Sequence, residues 1–253
     1  MKDLLKKRWV LYAGVAVVAL AVAGALIGVS VTGGSKKKEK SAVTTTATGG
    51  SKTTTSPGFA VTGAADTAAL FRGIPQKLNV LGNPNAPVTM VEFADLQCPF
   101  CREYTLQALP TIVKDYVRTG KVKLVFSGMA FIGPDSEKAL RAAYAAGVQN
   151  RLWNVIDLLY KNQGGENSGW VSDDLLRAVG TAAALDVGRM MADRQSPSVD
   201  NALTATSQQA ANAHVNQTPT FFAGRTAGGT LSQVPVTSLT PEPFQQALDA
   251  LLK

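Results

Sequence analysis

The only two cysteines of this 253-residue chain stand as Cys98-Pro99-Phe100-Cys101, and their flanks restrict what can hold them. Just before them, residues 87–93 (PVTMVEF) are apolar and β-rich, the pattern of a strand buried on both faces. Just after them, Leu109, Ile112, Val113 and Tyr116 recur at i, i+3, i+4 and i+7, one face of a helix, with Pro110 placed to kink it. Residues 121–126 (KVKLVF) read as a second strand. Strand, helix and strand in that order suggest a parallel β-α-β unit with a right-handed crossover. Cys98 therefore falls at the mouth of a helix that leaves a buried strand.

That position has a chemical consequence. The unpaired N–H groups and the dipole at a helix start stabilise an anion. The thiolate is the reactive form of cysteine, so Cys98 is expected to have a lowered pKa. Each unit of lowering favours the thiolate by about 1.36 kcal/mol. Cys101, one turn further on, is placed to close a disulfide: Cys98 attacks and Cys101 resolves. Two other readings of the motif are weaker. Structural zinc takes four Cys or His ligands, and the chain has no third Cys and one His, His214. A static disulfide across so small a loop stabilises little by chain entropy.

The rest of the chain surrounds this unit. Residues 77–81 form a short strand candidate, and the pattern from about 135 to 214 is helical. There Leu152, Val155, Ile156 and Leu159 share one face, and Ser172 followed by Asp173 and Asp174 marks a helix start. Two more helices are expected over 182–194 and 199–213, with the lone His214 at a helix end or on the surface. Trp153 and Trp170 read as packing residues. Residues 218–222 (TPTFF) look strand-like, and a turn at Gly228 and Gly229 precedes another strand near 230–234. A helix over 241–252, with Phe244, Ala247, Leu248 and Leu251 inward, closes the chain; its prolines lie at the start, where they are tolerated. The helical insertion interrupts one sheet rather than forming a separate domain.

The N-terminal fifth is of another kind. Residues 1–58 hold nine Lys or Arg and two acids, which accounts for the whole net charge of +7. The remainder balances to zero, so no basic stripe for nucleic acid is expected on the fold. Residues 10–31 are uncharged, and as a helix they reach roughly 33 Å, enough for a bilayer core of about 30 Å. A cleaved secretory signal has a shorter apolar region; a retained transmembrane anchor is the expectation. No Cys follows the run to carry a lipid. Four cations precede the span and four follow it closely, nearly a tie for orientation. The cysteine pair decides for residues 1–9 in the cytoplasm and the bulk outside. Residues 32–72, rich in Ser, Thr, Gly and Lys, read as a flexible tether, with a short helix conceivable around residues 66–72, ahead of a folded domain over 73–253.

Three segments in order carry a resemblance: LGNPNAPVTMVEFADLQCPFC, LWNVIDLLYKNQ and VNQTPTFFAG. Together they resemble the DsbA-like branch of the thioredoxin superfamily, from about Gly73 to the C-terminus. The resemblance implies an α/β thioredoxin-like fold with an inserted helical subdomain. It implies that Pro219 is a cis-proline beside the cysteines, with the Thr218 backbone open to an extended substrate strand. From the residues alone, Pro219 would read as an ordinary trans proline opening an edge strand. It also implies a buried acid at Glu92, able to exchange protons with Cys101 through a water; the spacing alone leaves an outward Glu92 open. Asp95 fits the same local pattern. Between the cysteines this chain has Phe100 where DsbA has His, so a less acidic Cys98 and a less oxidising couple are expected.

The implied activity is thiol–disulfide exchange with exported proteins, with no bound cofactor or metal, and with reoxidation by a membrane partner of DsbB or vitamin K epoxide reductase-like type. A reductase or isomerase on the same scaffold, and a non-catalytic tethered binding module, are the alternatives.

Overall fold

The computed structural model describes residues 59–253, and its first element falls where the sequence left a short helix conceivable, around residues 66–72, inside the stretch read as tether. Where the tether was expected to run on to residue 72, helix α1 (Ala64–Phe71) buries Thr67 and Phe71. The alanine-rich stretch is a helix because tertiary contacts hold it. The Thr67 hydroxyl donates to Asp157, Lys161 Nζ reaches Asp157 Oδ2 at 2.7 Å and Thr67 Oγ1 at 3.0 Å, and the Arg118 guanidinium donates to the Leu70 and Arg72 carbonyls. The anchor at 10–31 and the tether up to residue 58 lie outside the described residues. Among the described residues no helix is long and apolar enough to cross a membrane.

The strand expected over 77–81 is a hairpin of β1 (Gln76–Lys77) and β2 (Val80–Leu81). Leu78 has φ 53°, a left-handed conformation that breaks a strand. β3 (Val88–Asp95) carries the buried run ahead of the cysteines, and α2 (Pro99–Gln107) starts at the motif. The helical path breaks at Ala108, two residues before Pro110. It resumes as α3 (Leu109–Ile112) and widens into a π-turn over Val113–Val117. Leu109, Ile112, Val113 and Tyr116 are all buried, as their spacing predicts. β4 (Val122–Met129) returns parallel to β3.

The insertion consists of α4 (Pro134–Val148), α5 (Leu152–Lys161), α6 (Asp173–Ala182), α7 (Val187–Asp193) and α8 (Pro197–Asn212). Ser172 caps α6 by accepting from Leu175 N at 3.1 Å. His214, at φ 54°, ends α8, with the Val215 N–H closing back on the Ala210 carbonyl. Gly128 lets α4 lie directly on β4: a Cβ there would run into Leu140 and Phe126. Trp153 is fully buried, edge-on to Phe126, and donates to the Asn79 carbonyl at 3.1 Å. Its truncation to alanine would cost about 3–5 kcal/mol.

The chain ends with β5 (Thr220–Arg225), β6 (Ser232–Gln233) and α9 (Pro241–Leu252). The six strands lie in the order β1-β2-β4-β3-β5-β6, all neighbours antiparallel except β3 and β4. β3 is interior and covered on both faces. Val88, Met90 and Ala94 belong to the main core, while Val91 and Phe93 join Met129 and Ala210 in a second cluster under α8. By the two-residue period of a strand, Glu92 lies on the main-core face between Met90 and Ala94.

Candidate active site

β3 ends and α2 begins within four residues, which fixes both sulfurs. Cys98 N donates to the Asp95 carbonyl at 3.0 Å, and the Cys98 carbonyl accepts from Arg102 N at 3.1 Å. Cys98 is thus the N-cap of α2, in extended conformation, with Pro99 in the first turn, where its missing N–H costs nothing. Both cysteines are free thiols. Cys101, one turn along, is fully buried.

The Thr218–Pro219 peptide is cis, as the resemblance implies. It enters β5 opposite the helix mouth, and the Cys98 thiol donates to the Thr218 carbonyl at 3.3 Å. β5 pairs with β3 on one side and β6 on the other, so the segment opens an interior strand, not an edge. Beside it runs a groove of about 730 Å³ lined by Phe100, Gln217, Thr218, Pro219, Val236 and Leu239, among others. Phe100 stands 60% exposed on its rim.

The two thiols are driven in opposite directions. Cys98 is lowered to about 6, first by the hydrogen bond from the Cys101 thiol and, against the cost of burial, by the Thr218 side chain and the N–H groups of Cys101 and Phe100. The helix-start amides therefore contribute, as expected, but the neighbouring thiol contributes most. Cys101 is pushed well up, chiefly by burial, then by its bond to Cys98 and by the charges of Cys98 and Glu92.

Glu92 lies inward, 3% exposed, in register with Phe126 on β4 and Phe221 on β5. Burial, and then the Cys98 charge, raise its carboxyl to about 8. Its Oε1 is buried without a partner. Asp95, three residues on and fully buried, is the reverse case. Its oxygens accept from Gln97 N, Ser136 Oγ, Phe131 N and Ile132 N at 2.6–3.0 Å. It holds the turn after β3 to the loop leading into α4.

Sequence reasoning missed a set of amides around the motif. Gln163 Nε2 donates to the carbonyls of Leu96 (2.9 Å) and Cys98 (3.2 Å). Gln97 reaches Ser136 and Asn167. Gln163 closes LWNVIDLLYKNQ, so its place in a recurring segment was the only available signal. His214 is a helix end and Trp153 is core; Trp170 is half-buried and stands outside the site. Among the described residues no group of three or more His, Cys, Asp or Glu could hold a metal ion.

Residues 76–250 match the model of a thioredoxin family. The chain belongs to the thioredoxin family, in its DsbA-like branch. It is 32% identical over 146 residues to a probable disulfide bond formation protein D of Bacillus cereus, covering 56% of this chain and 68% of that one. Its fold is that of oxidised BdbD from Bacillus subtilis (TM-score 0.60, 21% identity, 71% and 97% of the two chains). The α-DsbA1 of Wolbachia pipientis is comparable (TM-score 0.60, 19% identity, 69% and 90%). This DsbA-like protein is a thiol–disulfide oxidoreductase whose redox group is a cysteine pair.

Proposed function

We propose that this chain oxidises, or exchanges disulfides in, exported proteins outside the cytoplasm, through Cys98 and Cys101. Residues 10–31 would hold it in the cell membrane as a single-pass anchor with residues 1–9 in the cytoplasm. The observation that carries the reading is the placement of Cys98: a thiol lowered to about 6, at a helix mouth, 3.3 Å from the Thr218 carbonyl.

The steps balance as follows. A substrate thiolate attacks Cys98 Sγ of the Cys98–Cys101 disulfide, and Cys101 leaves as a thiolate. Glu92, whose carboxyl burial holds well above the ordinary carboxylate range, supplies the proton that Cys101 takes up. A second substrate thiolate then attacks the substrate sulfur of the mixed disulfide and releases the Cys98 thiolate. The substrate loses two electrons and the pair gains them, so no other redox group takes part. Thr218 and Pro219 align the extended substrate beside Cys98. A membrane partner of DsbB or vitamin K epoxide reductase-like type returns the pair to the disulfide.

The depressed pKa of Cys98 sets a scale. Lowering it from 9.0 to about 6 favours the reduced pair at pH 7 by ~1.4 kcal/mol, about 30 mV toward a more oxidising couple. DsbA, with its thiol near about 3.5, gains more; Phe100 brings no charge to the thiolate. Equilibration with glutathione, together with thiol labelling of intact cells, tests the direction. Oxidation is supported by a pair found as the disulfide in cells; a pair held reduced makes the chain a reductase or isomerase. Full function retained in Cys98→Ser would make it a binding module.

A further inference from the structure

The floor beneath the cysteines holds two polar atoms that ordinary packing does not explain. Glu92 Oε1 and Tyr104 Oη are both buried and lack partners. Buried polar atoms are nearly always satisfied, by protein or by ordered water. If Tyr104 only filled space, phenylalanine would pack as well without burying an unpaired hydroxyl.

The fold places the two residues around one phenylalanine. Cys101 and Tyr104 are three residues apart on the buried face of α2. The Tyr104 ring lies 4.5 Å from Phe221 and 4.9 Å from Phe244. Phe221 is in turn the cross-strand partner of Glu92 on the same face of the sheet. Tyr104 and Glu92 thus flank one phenylalanine beneath Cys101. The charge of Glu92 acts on both Tyr104 and Cys101, which places all three in one electrostatic neighbourhood.

We infer that Tyr104 is a positioning residue for proton transfer: its hydroxyl and Glu92 Oε1 hold one buried water that carries the proton between Glu92 and Cys101. The inference rests on the acid–base role of Glu92 proposed above and adds the group that orients the transfer. When Cys101 leaves the disulfide, the water donates a proton to its sulfur and takes one from the Glu92 carboxyl, so the net change is one proton from Glu92 to Cys101. In the reverse direction Cys101 returns it. Tyr104 itself stays protonated, since burial and then the Glu92 charge hold its phenol well above its ordinary range. The other ionisable groups in this environment are Cys98 at the mouth of α2, Asp95 at the end of β3, and Tyr160 on α5, the last engaged with the Asp95 carbonyl at 3.1 Å. Phe126 from β4 and Phe221 and Phe244 from β5 and α9 complete an apolar wall.

Stopped-flow reduction of the oxidised full chain by dithiothreitol, expressed per dithiothreitol thiolate between pH 5 and pH 9, tests this. Tyr104→Phe keeps the ring. It should slow the step about fivefold to tenfold at pH 7, a fraction of the ~100-fold or more that general acid catalysis supplies, and cause no further loss in a Glu92→Gln background. The protonated Glu92 carboxyl stretch, identified by its loss in Glu92→Gln, should shift in Tyr104→Phe as one hydrogen bond disappears. An unchanged rate in Tyr104→Phe beside a slowed Glu92→Gln overturns the inference and leaves the role of Glu92 standing. Unchanged rates in both remove both. A Tyr104→Phe loss that persists undiminished in the Glu92→Gln background also overturns it, because the hydroxyl would then act without Glu92.

Discussion

Cys98 and Cys101 are one helical turn apart, and their surroundings share little. The mouth of the site, around Cys98, is rich in partners: the Thr218 carbonyl, helix-start amides, the Cys101 thiol and an open groove. The floor, around Cys101, is apolar and poor in partners, with Glu92 and Tyr104 each leaving a polar atom unpaired. The mouth lowers a thiol and the floor raises a thiol and a carboxyl. Asp95 shows that burial alone does not make a floor: it is more buried than Glu92, yet four donors satisfy it. An unpartnered buried acid is available for chemistry, whereas a fully bonded one is structural.

The sharpest way to break the comparison is to exchange the sulfurs' fates. Cys98→Ser should lose at least about 10³-fold in thiol oxidation, as removal of a nucleophile does. Cys98 of Cys101→Ser should still attack a supplied disulfide such as oxidised glutathione, releasing one thiolate and accumulating a mixed disulfide visible by mass spectrometry. Equal losses with no trapped adduct would erase the distinction between the two.

The carboxylates come next. Asp95→Ala strands four donors, three backbone N–H groups and the Ser136 hydroxyl, and should destabilise the fold by about 3–4 kcal/mol in denaturant unfolding. Glu92→Gln should do the opposite above neutrality. Folded Glu92 keeps its proton to about pH 8, whereas the unfolded chain loses it near 4.5. Stability from this group is therefore whole below pH 4.5 and falls as pH rises toward 8. Cys98 runs the other way: its folded thiol ionises near 6 and its unfolded thiol near 9.0, so its contribution is whole above 9 and lost as pH falls through 6. In the reduced protein the two slopes oppose each other between pH 6 and 8. In the oxidised protein Cys98 has no proton to lose and carries no charge; burial, the larger cause, still holds the Glu92 carboxyl up, so stability should fall as pH rises above pH 5. Unfolding curves of oxidised Glu92→Gln should be flat over that range.

The smallest change is at the rim. Phe100→His would place a titrating cation beside the sulfur and should lower the Cys98 pKa further, leaving stability within about 0.5 kcal/mol because residue 100 is exposed. A shift at Cys101 of the same sign and size would show that mouth and floor are not electrically distinct.

Much of the mouth is legible in the sequence. An apolar β-rich run, then Cys-x-x-Cys, then a helical period places Cys98 at a helix start, because each pattern is local. The closing helix is legible for the same reason, and its inward Phe244 and Leu248 are buried. The rest depends on long-range contacts. Pro219 reads as an edge-strand proline until β6 is seen to cover β5. Glu92 sits on a strand buried on both faces, so alternation does not reveal which side it takes. The amides of Gln97, Gln163 and Asn167 meet across about 70 residues of chain. α1, only conceivable from its own residues, is fixed by contacts of Thr67 with Asp157 and Lys161, 90 and 94 residues away.

One titration reaches the asymmetry directly: thiolate absorbance of the reduced protein against pH, with Cys101→Ser as the reference for Cys98. One thiol should ionise near pH 6 and the second stay protonated past pH 9. Two thiols ionising together near pH 9 would contradict the account.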